Sequence, residues 1–102
     1  MSFLDLQGVS GALYRFRRVE DQAALPAHGG NFVTFRPGQG GRVIPACGTS
    51  RSLMDLAARW RELTADGCQL LVRLNVTRAV RLAEHDDLAT ALNPAKELRE
   101  PD

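Results

Sequence analysis

Few residues of this chain combine a reactive type with a telling spacing. Its single tyrosine, Tyr14, stands in the run GALYRF, and Arg81 and Glu84 form an R-x-x-E followed by Asp86 and Asp87. Between these lie Arg59 and Arg61, flanking Trp60. A phenol, a guanidinium and a carboxylate are what phosphoryl transfer uses. That reaction needs a positioned nucleophile, charge neutralisation and a metal, and residue type alone assigns none of these roles here. Each also has a plainer reading. Tyr14 fits a strand residue whose ring covers a core edge. Glu84 fits a solvated helix residue paired at i, i−3 with Arg81. Arg59 and Arg61 fit the wet side of a helix whose apolar stripe includes Trp60.

Other chemistries lack their spacing. Cys47, Cys68, His28 and His85 contain no C-x-x-C or H-x-x-x-H, so no structural zinc site is expected. The two cysteines make no disulfide framework; adjacent strands could bridge them, but reduced, largely buried thiols are the favoured reading. His28 and His85 read as exposed loop and helix positions, and no Ser-His-Asp or Cys-His arrangement can be assembled. The glycine-rich link Pro37-Gly38-Gln39-Gly40-Gly41 leads into another strand-like run. A phosphate-cradling loop opens a helix directly, so a hairpin is the expectation here.

Charge is unevenly spread along the 102 residues. Residues 1–81 carry 11 basic and 6 acidic side chains, whereas residues 82–102 carry 2 and 6. Twelve of the 13 basic residues are arginine, the side chain suited to bidentate phosphate or carboxylate contacts. An arginine- and alanine-rich codon usage would produce the same excess. No apolar run nears the roughly 20 residues that span a bilayer, and the first ten lack a basic-then-apolar leader. A cytoplasmic protein with no membrane partner is expected.

These residues need elements to position them. Residues 1–10 read as an irregular lead-in. Alternation in LYRFRRV and the β-branched, aromatic run NFVTFR give two strands. A third is expected at residues 43–46, with Pro45 marking an edge, a bulge or an end. Leu53, Leu56, Ala57, Trp60 and Leu63 recur at helical spacing, which predicts a helix over residues 52–65 capped by Ser50 or Ser52. The dense apolar run CQLLVRLNV reads as a buried, central strand. A second helix begins after Thr77, with Val80, Ala83, Leu88, Ala91 and Leu92 as its apolar stripe, and ends at Asn93-Pro94. Residues 95–102 read as a charged, frayed tail on which Leu98 still packs.

In this order the elements resemble the GIY-YIG nuclease superfamily. Gly11-Ala12-Leu13-Tyr14 stands at the first motif and Ala46-Cys47-Gly48 at the second. Arg81, Leu82, Ala83, Glu84, Asp86, Asp87 and Leu88, closing at Asn93-Pro94, stand at the helix-two signature. The likeness spans residues 11–97. It implies metal-assisted hydrolysis of a DNA phosphodiester, with a tyrosine- or metal-activated water, a charge-stabilising arginine and a metal-holding glutamate. On this chain the resemblance implies Tyr14 as the tyrosine and Glu84 as the ligand of magnesium or manganese. The arginine falls on Leu56 by direct count from Gly48, or on Arg59 if a short insertion is allowed. Ala46 replaces the second tyrosine, and Glu97 replaces the asparagine expected after Asn93-Pro94.

The sequence thus predicts one domain over residues 1–102, with its core at about 11–94. It is expected to be α+β and GIY-YIG-like, a small antiparallel or mixed sheet of about four strands flanked by two main helices in the order β-β-β-α-β-α. Losing a tyrosine removes transition-state contacts, which govern rate more than binding. The favoured function is therefore a binding module for nucleic acid or protein in a bacterial cytoplasm, with a degraded catalytic site. The alternatives are an active magnesium- or manganese-dependent DNA endonuclease using Tyr14, Arg59 and Glu84, and a small globular protein of unrelated function.

Overall fold

Period-two alternation sorts the strands into two faces, and both faces are buried by something. A computed structural model describes residues 3–38 and 41–102. Its strands are β1 (Phe3–Gln7), β2 (Leu13–Val19), β3 (Gly30–Gly38), β4 (Gly41–Val43), β5 (Ala46–Ser50), β6 (Gln69–Leu74) and β7 (Lys96–Leu98). Its helices are α1 (Trp60–Leu63) and α2 (Arg78–Leu92). Six strands lie in the order β1-β2-β6-β3-β5-β7, and β4 forms a hairpin on β3 through Gly38↔Gly41. Gln39 and Gly40 of the expected glycine-rich turn lie outside the described residues. All pairings are antiparallel except β5 with β7.

On β3 and β6, neighbouring residues point into different cores. Phe32, Leu70 and Val72 join Val19, Leu53, Leu56 and Leu63 on the side covered by α1. Val33 and Leu71 join Leu6, Phe16, Cys47 and Leu88 on the side covered by α2. Strand β6 is central, with Leu70, Leu71 and Val72 all buried, because only a strand covered on both faces can be apolar at consecutive positions. Each such fully buried side chain contributes about 1.5–3 kcal/mol relative to exposure.

The expected four-strand sheet with two main flanking helices is corrected on both counts. The lead-in is a strand: Leu4 and Leu6 alternate with Phe3, Asp5 and Gln7, and β1 pairs with β2 from Phe3↔Arg17 to Gln7↔Leu13. Residues 96–98 of the supposed frayed tail form β7 against β5, with Leu98 packed on the α1-side core. The third strand is split at Ile44-Pro45 into β4 and β5. Proline has no N–H to give a ladder, and its carbonyl instead accepts from the Lys96 N–H at 3.0 Å.

The helix expected over residues 52–65 is mostly 3₁₀, from Leu53–Arg59, with only Trp60–Leu63 truly α-helical. Neither expected cap forms on the helix: Ser52 makes no capping bond, and the Ser50 hydroxyl donates to the Ser52 carbonyl. The buried residues Leu53 and Leu56 are three apart, the spacing that a 3₁₀ turn aligns. Left-handed Asp66 (φ 59°) and Gly67 (φ 78°) then turn the chain into β6. Helix α2 ends at left-handed Asn93, whose N–H reaches the Ala89 carbonyl.

The stripe of α2 is also corrected. Arg81, His85, Leu88 and Ala89 are its buried residues, while Val80 is 45% exposed. Two polar side chains occupy the inner face because each meets a carboxylate there. Those carboxylates lie 12 and 19 residues further along the chain.

Candidate functional site

Strand parity decides where the chemistry-bearing residues meet. Tyr14 on β2 and Glu84 on α2 lie on the α2 side of the sheet, linked through Arg73 of β6. The Arg73 guanidinium stands 5.5 Å over the Tyr14 ring and donates to Glu84 Oε1 at 2.9 Å. Arg59 lies on the opposite side, beyond the sheet, and donates to Glu62 at 3.0 and 2.8 Å. The structure therefore brings Tyr14 and Glu84 together and leaves Arg59 apart from them. Arg73, which no motif singles out, is the arginine at their side.

Each group in this cluster has fixed partners. The Tyr14 hydroxyl donates to Asp87 Oδ2 at 2.6 Å. That bond holds the Tyr14 pKa above the ordinary value, because ionisation would place a phenolate against a carboxylate. Asp87 is pushed the other way, first by Tyr14 and then by Ser10, which donates from both its hydroxyl and its N–H. A phenol so held is a poor nucleophile at neutral pH. Glu84 does not pair with Arg81 as its sequence spacing implied. It accepts from Arg73 and from Asn75 Nδ2 at 3.0 Å, and a guanidinium already neutralises it. Among the described residues there is no group of three or more His, Cys, Asp or Glu side chains arranged to hold a metal. Glu84 alone makes a weak site for magnesium.

The remaining candidates are also committed. His85 is 1% exposed rather than solvated, with Nε2 3.0 Å from Glu97 Oε1, and His28 is exposed as expected. Cys47 is buried, and that burial pushes its thiol up to about 12. Cys47 and Cys68 are both free thiols. No helix among the described residues is long and apolar enough to cross a membrane.

Charge is unequal on the two sides of the sheet. The register sets Arg17 opposite Val72, so it projects to the α1 side, as does Arg15, which pairs with Asp5. Arg36 lines one cavity with Glu62, Leu63 and Asp66, and Lys96 lies 3.7 Å from Glu62 on the same side. Arg59 and Arg61 come from the segment that covers this face. The α2 side carries Glu84, Asp86, Asp87 and Glu97 together with Arg73, Arg78, Arg81 and Arg99, so its charges are largely matched. An open cleft of about 530 Å³ lies between the 3₁₀ segment and β7. Arg51, Arg59 and Arg99 line it with Asp55, Glu97 and Glu100. Sequence reasoning had found the arginine excess and the acidic last fifth of the chain. Only the strand register shows that Arg15 and Arg17 project to the α1 side.

Compared with protein-family models, curated proteins and solved structures, the chain matches none.

Proposed function

We propose that this domain is a non-catalytic module that binds the phosphate backbone of nucleic acid on the α1 side of its sheet. The observation that carries the reading is the unequal charge of that side: Arg15, Arg17, Arg36, Arg59, Arg61 and Lys96 stand there against Asp5, Asp55, Glu62 and Asp66, whereas on the α2 side Arg73, Arg81 and Arg99 pair with Glu84, Glu100 and Asp86. Phosphate contacts by arginine need no base readout and give binding that falls with salt. Kinship with the GIY-YIG superfamily is part of the proposal, supported by Tyr14 and Glu84 meeting at Arg73. The absence of cutting is supported by the bonds that already occupy Tyr14 and Glu84.

Fluorescence anisotropy with single- and double-stranded oligonucleotides at rising salt tests the reading. Binding is expected to weaken steeply with salt and to be lost in an Arg36→Glu, Arg61→Glu double variant. No binding at low salt sinks the reading. Manganese-dependent nicking of plasmid DNA that disappears in Glu84→Ala would overturn its non-catalytic part.

A further inference from the structure

Arg51, Arg78 and Arg81 converge on one carboxylate, that of Glu100. Arg81 is 4% exposed and donates to it through both Nε and a terminal nitrogen, the latter at 2.8 Å. The guanidinium is fixed independently, because it also donates to the Val76 carbonyl at 2.8 Å and lies against Gly29, where a Cβ would crowd it. Arg51 and Arg78 approach Glu100 to 3.7 and 3.6 Å, within ion-pair range, but only Arg81 hydrogen-bonds its carboxylate. The Glu100 side chain is 2% exposed, whereas Arg51 and Arg78 are 60% and 42% exposed.

We propose that Arg51, Arg78 and Arg81 form a phosphate-binding site that the chain's own Glu100 fills. The geometry favours a phosphate over the resident carboxylate. A carboxylate offers two oxygens, and Arg81 takes both. A tetrahedral phosphate offers further oxygens toward Arg51 and Arg78. The start of α2 adds to the field, since Arg78 opens the helix and the Thr77 side chain makes no capping bond. Residues 99–102 have no secondary structure of their own. They are held by the Glu100 N–H to Thr49 Oγ1 at 3.0 Å, Arg51 to the Pro101 carbonyl at 3.1 Å, and Arg78 to Asp102 at 2.8 Å. The last two are contacts that the same arginines would give up on receiving a phosphate. The cleft described above opens onto this spot through Arg51, Glu100 and Pro101. This inference deepens the nucleic-acid reading, because Arg51 of this site and Arg59 of the α1 side line the same cleft, but it stands on its own geometry.

The test is a titration of the full chain and its Glu100→Ala variant with pyrophosphate, against sodium chloride at matched ionic strength. Melting temperature and hydrogen exchange at the residue-100 amide are the readouts. Glu100→Ala is expected to melt lower and to recover on adding pyrophosphate, with an apparent affinity roughly ten-fold or more above that of the parent chain. In the parent chain, pyrophosphate is expected to speed exchange of the Glu100 amide as residues 99–102 leave. Glu100→Gln, which keeps the side chain's size, undergoes the same titration should the alanine variant fail to fold. Equal response of parent and variants, or none beyond matched salt, overturns the proposal. A 5′-phosphorylated and an unphosphorylated oligonucleotide separate a terminal phosphate from a backbone one as the source. Oligonucleotide binding without any pyrophosphate effect sinks this site and leaves the nucleic-acid reading. A pyrophosphate effect without oligonucleotide binding does the reverse.

Discussion

The Tyr14 hydroxyl donates to Asp87 across 73 residues of chain, tying β2 to α2 with a 2.6 Å bond. Because the chain has one tyrosine, this bond can be read directly by ultraviolet titration of the phenol. Its midpoint is expected above the ordinary value near 10 and should fall back in Asp87→Asn. The sign for stability follows. A raised pKa stabilises the fold below the unfolded phenol's value, and that contribution disappears as pH rises through the folded one. A Tyr14 midpoint unchanged by Asp87→Asn would contradict the geometry.

Glu84 is expected to act as a structural partner of Arg73. Glu84→Ala leaves that half-buried guanidinium without its carboxylate and should lower stability by about 2 kcal/mol. Manganese should shift the melting temperature of neither the parent nor the variant. A manganese shift in the parent that the variant lacks would instead make Glu84 a ligand.

Acid unfolding should report on Glu100. The Arg81 guanidinium bonded to it holds its carboxyl below the usual range. Its stabilisation is therefore present above the unfolded carboxyl's pKa and is lost as pH falls through the depressed folded value. Glu100→Gln should flatten the stability profile over that acidic window while leaving the alkaline limb unchanged. Urea melts from pH 10 down to pH 2 measure both limbs.

Cys47 should resist alkylation in the native state at pH 8. Burial keeps its pKa at about 12, which leaves almost no thiolate to react. Iodoacetamide followed by peptide mass mapping should modify Cys47 only after the fold is opened in denaturant. Rapid native labelling would show that β5 opens locally.

Several elements were legible because their signals are local. The alternation of β2, the triple apolar run of β6 and the Asn93-Pro94 stop each sit within a few residues. What escaped was set at a distance. β1 is only five residues long, and β7 only three, so neither carries a pattern long enough to outweigh its polar residues. The face of α2 was misjudged because hydrophobicity cannot mark Arg81 and His85 as inner residues. They are inner because Glu100 and Glu97 return to meet them. The same blindness affected the site. R-x-x-E proposed a local pair, but both members turn away from each other, Arg81 toward Glu100 and Glu84 toward Arg73. Tyr14 and Glu84 were found by resemblance, and Arg73 between them needed the register of β6 against β2.

The place of β6 has a consequence for how the chain is made. Synthesis runs in sequence order, so β2 and β3 both emerge before the strand that joins them. Until residues 69–74 arrive, the sheet exists only as separate pieces. β1 pairs with β2 on one side, and β3 pairs with β4 and β5 on the other. Their apolar lanes for β6 are empty for that interval. A nascent chain halted before Gln69 therefore presents two unjoined hairpin units with open edges, the condition in which strands pair wrongly. Insertion of one central strand, late in synthesis, turns those pieces into a single sheet.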